Sequence, residues 1–69
     1  MILPEQIVLG NLYIHDNKFT VAKVIRIYDG DTMQFITIES FDELHDVPLD
    51  VFCRKFNEIV VTNLNEDTV

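Results

Sequence analysis

The chain has 69 residues, 12 acidic against 5 basic, for a formal net charge of −7. A chain of roughly 60–70 residues holds one domain with one small core, since it buries only about 60% of the surface it exposes when unfolded. The acidity repels phosphate backbones and excludes a broad basic footprint for DNA or RNA, while 48% apolar residues, with five Phe and two Tyr, exclude a disordered acidic tail.

The opening Met1-Ile2-Leu3-Pro4 has neither the basic nor the apolar region of an export signal, and no apolar run reaches the roughly 18 residues of a membrane span. Cys53 is the single cysteine, so no internal disulfide can form and a reducing compartment is favoured. The expectation is a cytoplasmic protein with no membrane association.

In chain order, residues 7–15 predict a bend at Gly10-Asn11 followed by a short strand, and Asp16-Asn17-Lys18 supplies a hairpin turn into a strand over 19–28. Within that strand Phe19, Val21, Ile25 and Ile27 share one parity and Ala22, Val24 and Tyr28 the other, which predicts strong curvature or a bulge. Asp29-Gly30-Asp31 then turns the chain into a strand over 32–38.

The charge is uneven. Residues 1–38 are near balance, whereas 39–69 carry eight acids against Arg54 and Lys55. Glu39, Asp42, Glu43, Asp46 and Asp50 fall in one twelve-residue window, interrupted by Phe41, Leu44 and Val47.

After Pro48 the period changes, with Leu49, Phe52, Cys53 and Phe56 at i, i+3, i+4 and i+7 on one helical face. Pro48 suits the first helical position, Asp50 the first turn, Arg54-Lys55 the last turn and Asn57 a left-handed stop, giving a helix over about 48–56. A closing strand over 58–62 and a frayed acidic tail over 63–69 complete the chain, with 1–62 as the single domain.

Catalytic and metal chemistry find no constellation. Zinc needs three or four converging ligands, and His15-Asp16 and His45-Asp46 place their neighbours on opposite strand faces. Cys53 lies in the apolar helical stripe, where a thiol packs and does not react, and Gly10 and Gly30 are too far apart for a phosphate loop. No catalytic residue, metal or cofactor is assigned, and the protein is not expected to be an enzyme. Phe19, Phe35, Phe52 and Phe56 are assigned to the core.

Two resemblances carry further expectations. Val24 to Thr32, with Asp29-Gly30-Asp31-Thr32, resembles the Asp-Gly-Asp-Thr hairpin of staphylococcal-nuclease-like proteins, where acids help hold calcium. The rest of that family's pattern is absent downstream, and hairpin-turn chemistry accounts for these residues.

More of the chain follows a second pattern: Gly10-Asn11-Leu12-Tyr13-Ile14-His15, then Phe19-Thr20-Val21, then Asp46-Val47-Pro48-Leu49-Asp50-Val51-Phe52 with Lys55-Phe56. It resembles small SH3-like barrel proteins of bacteria and phages with a late Pro-Leu-x-x-Phe helical turn. That resemblance implies a mainly β fold, a five-stranded SH3-like barrel with one short helix before the last strand, acting as a binding module in a bacterial or phage-infected cell.

The functional expectation is a non-catalytic acidic protein that docks on a partner and regulates or inhibits it. Charge runs usually serve only as solvated faces, but this one contains apolar anchors. Glu39, Phe41, Asp42, Glu43, Asp46 and Asp50 are therefore the candidate partner-binding residues, their carboxylates facing a basic protein surface. A sharper form is a phage-type inhibitor whose acids mimic nucleic-acid charge against a host nucleic-acid-processing or defence enzyme. The alternative is a nucleic-acid-associated barrel using Lys18, Lys23, Arg26 and Tyr28. An uncovered edge strand in so small a fold leaves a homodimer open.

Overall fold

A computed structural model describes residues 1–59 of the chain. After a 3-10 turn over Pro4–Gln6 come β1 (Leu12–His15), β2 (Val21–Asp29), β3 (Gln34–Ser40), β4 (Glu43–Pro48), α1 (Leu49–Lys55) and β5 (Phe56–Glu58). All neighbouring strands are antiparallel, in the order β4-β3-β2-β1-β5. The expected five strands, with one short helix before the last, are present; among the described residues the sheet is not closed into a barrel, and β4 and β5 are its edges.

The bend at Gly10-Asn11 forms because Gly10 adopts φ 89°, open to a residue without Cβ. Its N–H donates to the Val24 carbonyl at 2.7 Å, and the Val24 N–H returns a bond to the Asn11 carbonyl at 3.0 Å. The hairpin from β1 to β2 closes on Asn17, whose Oδ1 accepts from the N–H groups of Phe19 and Thr20 at 2.8 and 3.1 Å.

The expected bulge lies in β2, where the register to β3 shifts between Val24 and Arg26. Ile25 is the extra residue, so Ala22, Val24 and Ile27 share the core face although their numbering breaks parity. Arg26 and Tyr28 move to the outer face with Lys23.

β3 begins two residues later than the sequence predicts, because residues 30–33 form a wider turn in which the Gly30 N–H donates to the Met33 carbonyl at 2.7 Å. Gly30 is not left-handed there. Space requires it: a Cβ would stand 2.6 Å from the Phe35 ring and 2.8 Å from the Met33 carbonyl oxygen.

Further expectations are corrected. The sequence reading gives no strand within the acidic window, yet β4 fills 43–48, since an edge strand keeps one side in solvent and tolerates charge. α1 starts after Pro48, which is the N-cap rather than the first helical residue, and Phe56 at φ −115° is already extended. Asn57 therefore continues β5 and is no left-handed stop. β5 is set two residues early, at 56–58; the remainder of the expected strand, the domain end at 62 and the tail lie outside the described residues.

The core sits between the inner sheet face and α1. Leu49, Phe52, Cys53 and Phe56 are all buried, as their helical spacing requires, against Tyr13, Ala22, Val24, Ile36 and Ile38. Tyr13 packs its ring edge on Phe52, with centroids 5.7 Å apart. Its hydroxyl donates to the Gln6 carbonyl at 3.0 Å and accepts from the Val8 N–H at 2.9 Å, tying the N-terminal segment to β1. Ile2 is buried too, and its N–H donates to the Cys53 carbonyl at 2.9 Å.

Phe19 and Phe35 depart from the core assignment. Phe19 is 86% exposed, since it lies in the turn before β2 begins and no described element covers it. Phe35 is half-buried and stacks on Tyr28 across the outer face, with centroids 5.8 Å apart.

Candidate docking site at the hairpin end

Consecutive antiparallel strands put alternate connections at the same end of a sheet. The β1–β2 turn and the β3–β4 turn thus share one end, and the Ser40 hydroxyl ties them by donating to the Val21 carbonyl at 3.1 Å.

The β3–β4 turn has only two residues between the register partners Ser40 and Glu43. Phe41 and Asp42 occupy them at φ 54° and 62°, the left-handed pair that matches the twist of a tight hairpin. Asp tolerates this conformation through local hydrogen bonding, but for Phe the crowding of Cβ costs about 1–2 kcal/mol. The chain nevertheless holds Phe41 there, 78% exposed.

Phe19 occupies the neighbouring turn, beside Lys18 at φ 66°. The two most exposed phenylalanines of the described chain therefore stand at one end, with Val21 and Leu44 also exposed there. The same turns and strand ends carry Glu39, Asp42, Glu43 and Asp16 alongside Lys18 and Lys23, and Lys55 belongs to this end too, its carbonyl accepting from the Asp16 N–H at 2.8 Å. This end of the sheet thus combines exposed apolar side chains with charges of both signs, the acids in slight excess.

The structure brings Glu39, Phe41, Asp42 and Glu43 to this end and separates the other two predicted residues. Asp46 lies farther along β4 on the outer face, where its Oδ1 accepts from Thr37 Oγ1 at 2.6 Å. Thr37 in turn accepts from Arg26 Nε at 3.1 Å, and the Arg26 guanidinium lies 4.8 Å over the Tyr28 ring. Asp50 sits in the first turn of α1, at the opposite end of the sheet. Phe19 and Leu44 join the site without having been assigned to it; the Asn17 turn immediately before Phe19 is the signal that it precedes its strand.

At that opposite end, a mostly apolar groove of about 430 Å³ runs between the N-terminal segment, the β2–β3 turn and α1. Met1, Ile2, Met33, Leu49 and Cys53 line it, with Asp50 and Arg54 at its polar margin. Burial, with Asp50 and Glu5 adding repulsion, pushes the Cys53 thiol above its ordinary pKa, so it is not a poised nucleophile.

Asp29 accepts from Gln34 Nε2 at 3.1 Å across the mouth of the hairpin. Among the described residues no three His, Cys, Asp or Glu side chains gather as a metal site, and no helix is long and apolar enough to cross a membrane. Comparison with protein families, curated proteins and solved structures found no match.

Proposed function

We propose that the protein is a non-catalytic acidic binding module that docks through its hairpin end on a partner protein with a basic surface, and so regulates or inhibits that partner. The observation that carries this reading is Phe41, a large apolar side chain kept in solvent at a backbone conformation that disfavours it. Strain of this kind persists where surroundings over-determine it and concentrates at functional positions. Phe41 supplies the anchor, and Asp42, Glu43 and Glu39 supply attraction and register.

The strand order and the helix before β5 support an SH3-like assignment, a fold that hosts binding modules of many kinds. A lone free thiol suits a cytoplasmic setting. The excess of acids supports the sharper form, in which the protein competes with nucleic acid for a basic channel of a host enzyme.

One observation favours the alternative of direct nucleic-acid binding: the bulge at Ile25 gathers Lys23, Arg26 and Tyr28 on one face. Against it, Arg26 is engaged by Thr37 and Tyr28, and Glu39 and Asp46 share that face. Affinity capture from a native lysate with the wild type and with Phe41→Ser tests the first reading, and a low-salt gel shift tests the second. The expected result is a basic protein retained by the wild type and lost with Phe41→Ser, with no shifted nucleic acid; retention indifferent to Phe41 overturns the proposal.

A further inference from the structure

Among the described residues β4 is an edge of the sheet, and residues 43–46 are all exposed. In a two-residue hairpin the closing residues, here Ser40 and Glu43, exchange both backbone hydrogen bonds, and bonded and non-bonded pairs then alternate along the ladder. Glu43, His45 and Val47 therefore turn their backbone groups toward β3. Leu44 and Asp46 turn theirs away from the sheet, offering two donors and two acceptors. Pro48, with no N–H, ends this outward row.

Charge decides what pairs with it. Two copies of β4 in antiparallel contact would crowd Glu43, Asp46 and the adjacent Asp42 of both chains, with no Lys or Arg on the strand to offset them. A strand bearing cations meets the opposite field. Asp46 uses Oδ1 on Thr37, and its Oδ2 has no hydrogen bond among the described residues. Leu44, 65% exposed, flanks it on the same face, and Glu43 projects on the other.

We infer that the β4 edge accepts an extended basic segment of the partner as an added antiparallel strand, bonded to the backbone of Leu44 and Asp46. Lysine or arginine then lies beside Asp46 and Glu43, with an apolar residue against Leu44. This rests on the docking function proposed above and gives it a partner chemistry. Because β4 follows directly on the Phe41-Asp42 turn, anchor and added strand form one continuous surface.

The test titrates a capped Thr-Val-Lys-Thr-Val-Lys-Thr heptapeptide, whose Lys-Thr-Val-Lys run faces Asp46 to Glu43 in antiparallel register, into the isotope-labelled full chain at low salt, with its Glu-for-Lys counterpart, the Glu-Val peptide, as control, and reads backbone amide shifts and exchange. Saturable shifts and slowed exchange centred on Leu44 and Asp46, weakened by salt and absent with the Glu-Val peptide, are expected. Leu44→Pro removes an outward N–H without touching the β3 ladder and should weaken binding about tenfold. Asp46→Asn keeps the backbone and should weaken it severalfold, which gives a readout even if the proline variant loses its fold. Shifts elsewhere only, equal binding by folded Leu44→Pro, or pairing of β4 with a second copy in the absence of peptide each overturn the inference. If the peptide fails while Phe41→Ser still abolishes partner capture, the edge is refuted and the docking function stands; if the peptide binds but capture ignores Phe41, the docking function is the part that fails.

Discussion

Phe52 and Phe56 stack with ring centroids 4.5 Å apart and 14° between their planes, one in α1 and the other at the start of β5. The pair locks the helix to the last strand, and Phe52 also meets the edge of Tyr13. Phe52 is fully buried, so truncation leaves a cavity in the core between α1 and the sheet.

Phe52→Ala is expected to cost about 3–5 kcal/mol, which is comparable with the whole stability of a domain this small, about 3–5 kcal/mol. The variant should be largely unfolded at 25 °C by near-ultraviolet circular dichroism, while Phe52→Leu retains a cooperative melt at lower temperature. A native melt for Phe52→Ala would show that this stack is not the centre of the core.

The Phe41-Asp42 turn predicts a trade of stability against binding. Replacing the pair by Asn-Gly keeps the left-handed backbone and removes the crowding at Phe41, so stability should rise by about 1–2 kcal/mol. Partner capture should be lost in the same variant. Denaturant melts and capture measured together check both halves.

Much of the fold is legible in the sequence because its signals are local. The i, i+3, i+4, i+7 stripe ending at Phe56 finds the helix and its buried face, and the mixed parity of 19–28 finds the bulge. β4 escapes because an edge strand with one open side does not need an apolar alternation. Phe19 misleads because hydrophobicity alone cannot distinguish a core residue from one left in solvent by a turn. The acidic window is legible as composition, but strand alternation divides its carboxylates among two faces, a turn and a helix, which only the register reveals.

The two glycines predict different kinds of failure. Gly30→Ala would drive its Cβ into the Phe35 ring and the Met33 carbonyl, and backbone cannot yield cheaply, so a loss of about 1–3 kcal/mol is expected. Gly10→Ala meets nothing within 4 Å and suffers only from φ 89°. It should cost about 1–2 kcal/mol, and Gly10→Asn less, since Asn tolerates that region. Urea midpoints of these three variants and of Gly30→Asn separate steric from conformational cost; equal recovery by Gly30→Asn would contradict the steric account.

Cys53 links stability to alkaline pH. Its folded pKa is raised, chiefly by burial and then by Asp50 and Glu5, so the folded state holds the thiol proton more tightly than the unfolded chain does. Below the unfolded thiol pKa, about 8.5, both states are protonated and stability is full. As pH rises from there through the raised folded value, the unfolded chain ionises first and stability falls. Cys53→Ala should flatten that part of the alkaline decline in Tm. The same burial makes alkylation of the native thiol slow and strongly accelerated by denaturant. Equal alkaline slopes in the two proteins, together with rapid alkylation under native conditions, would place Cys53 outside the core that α1 shares with the sheet.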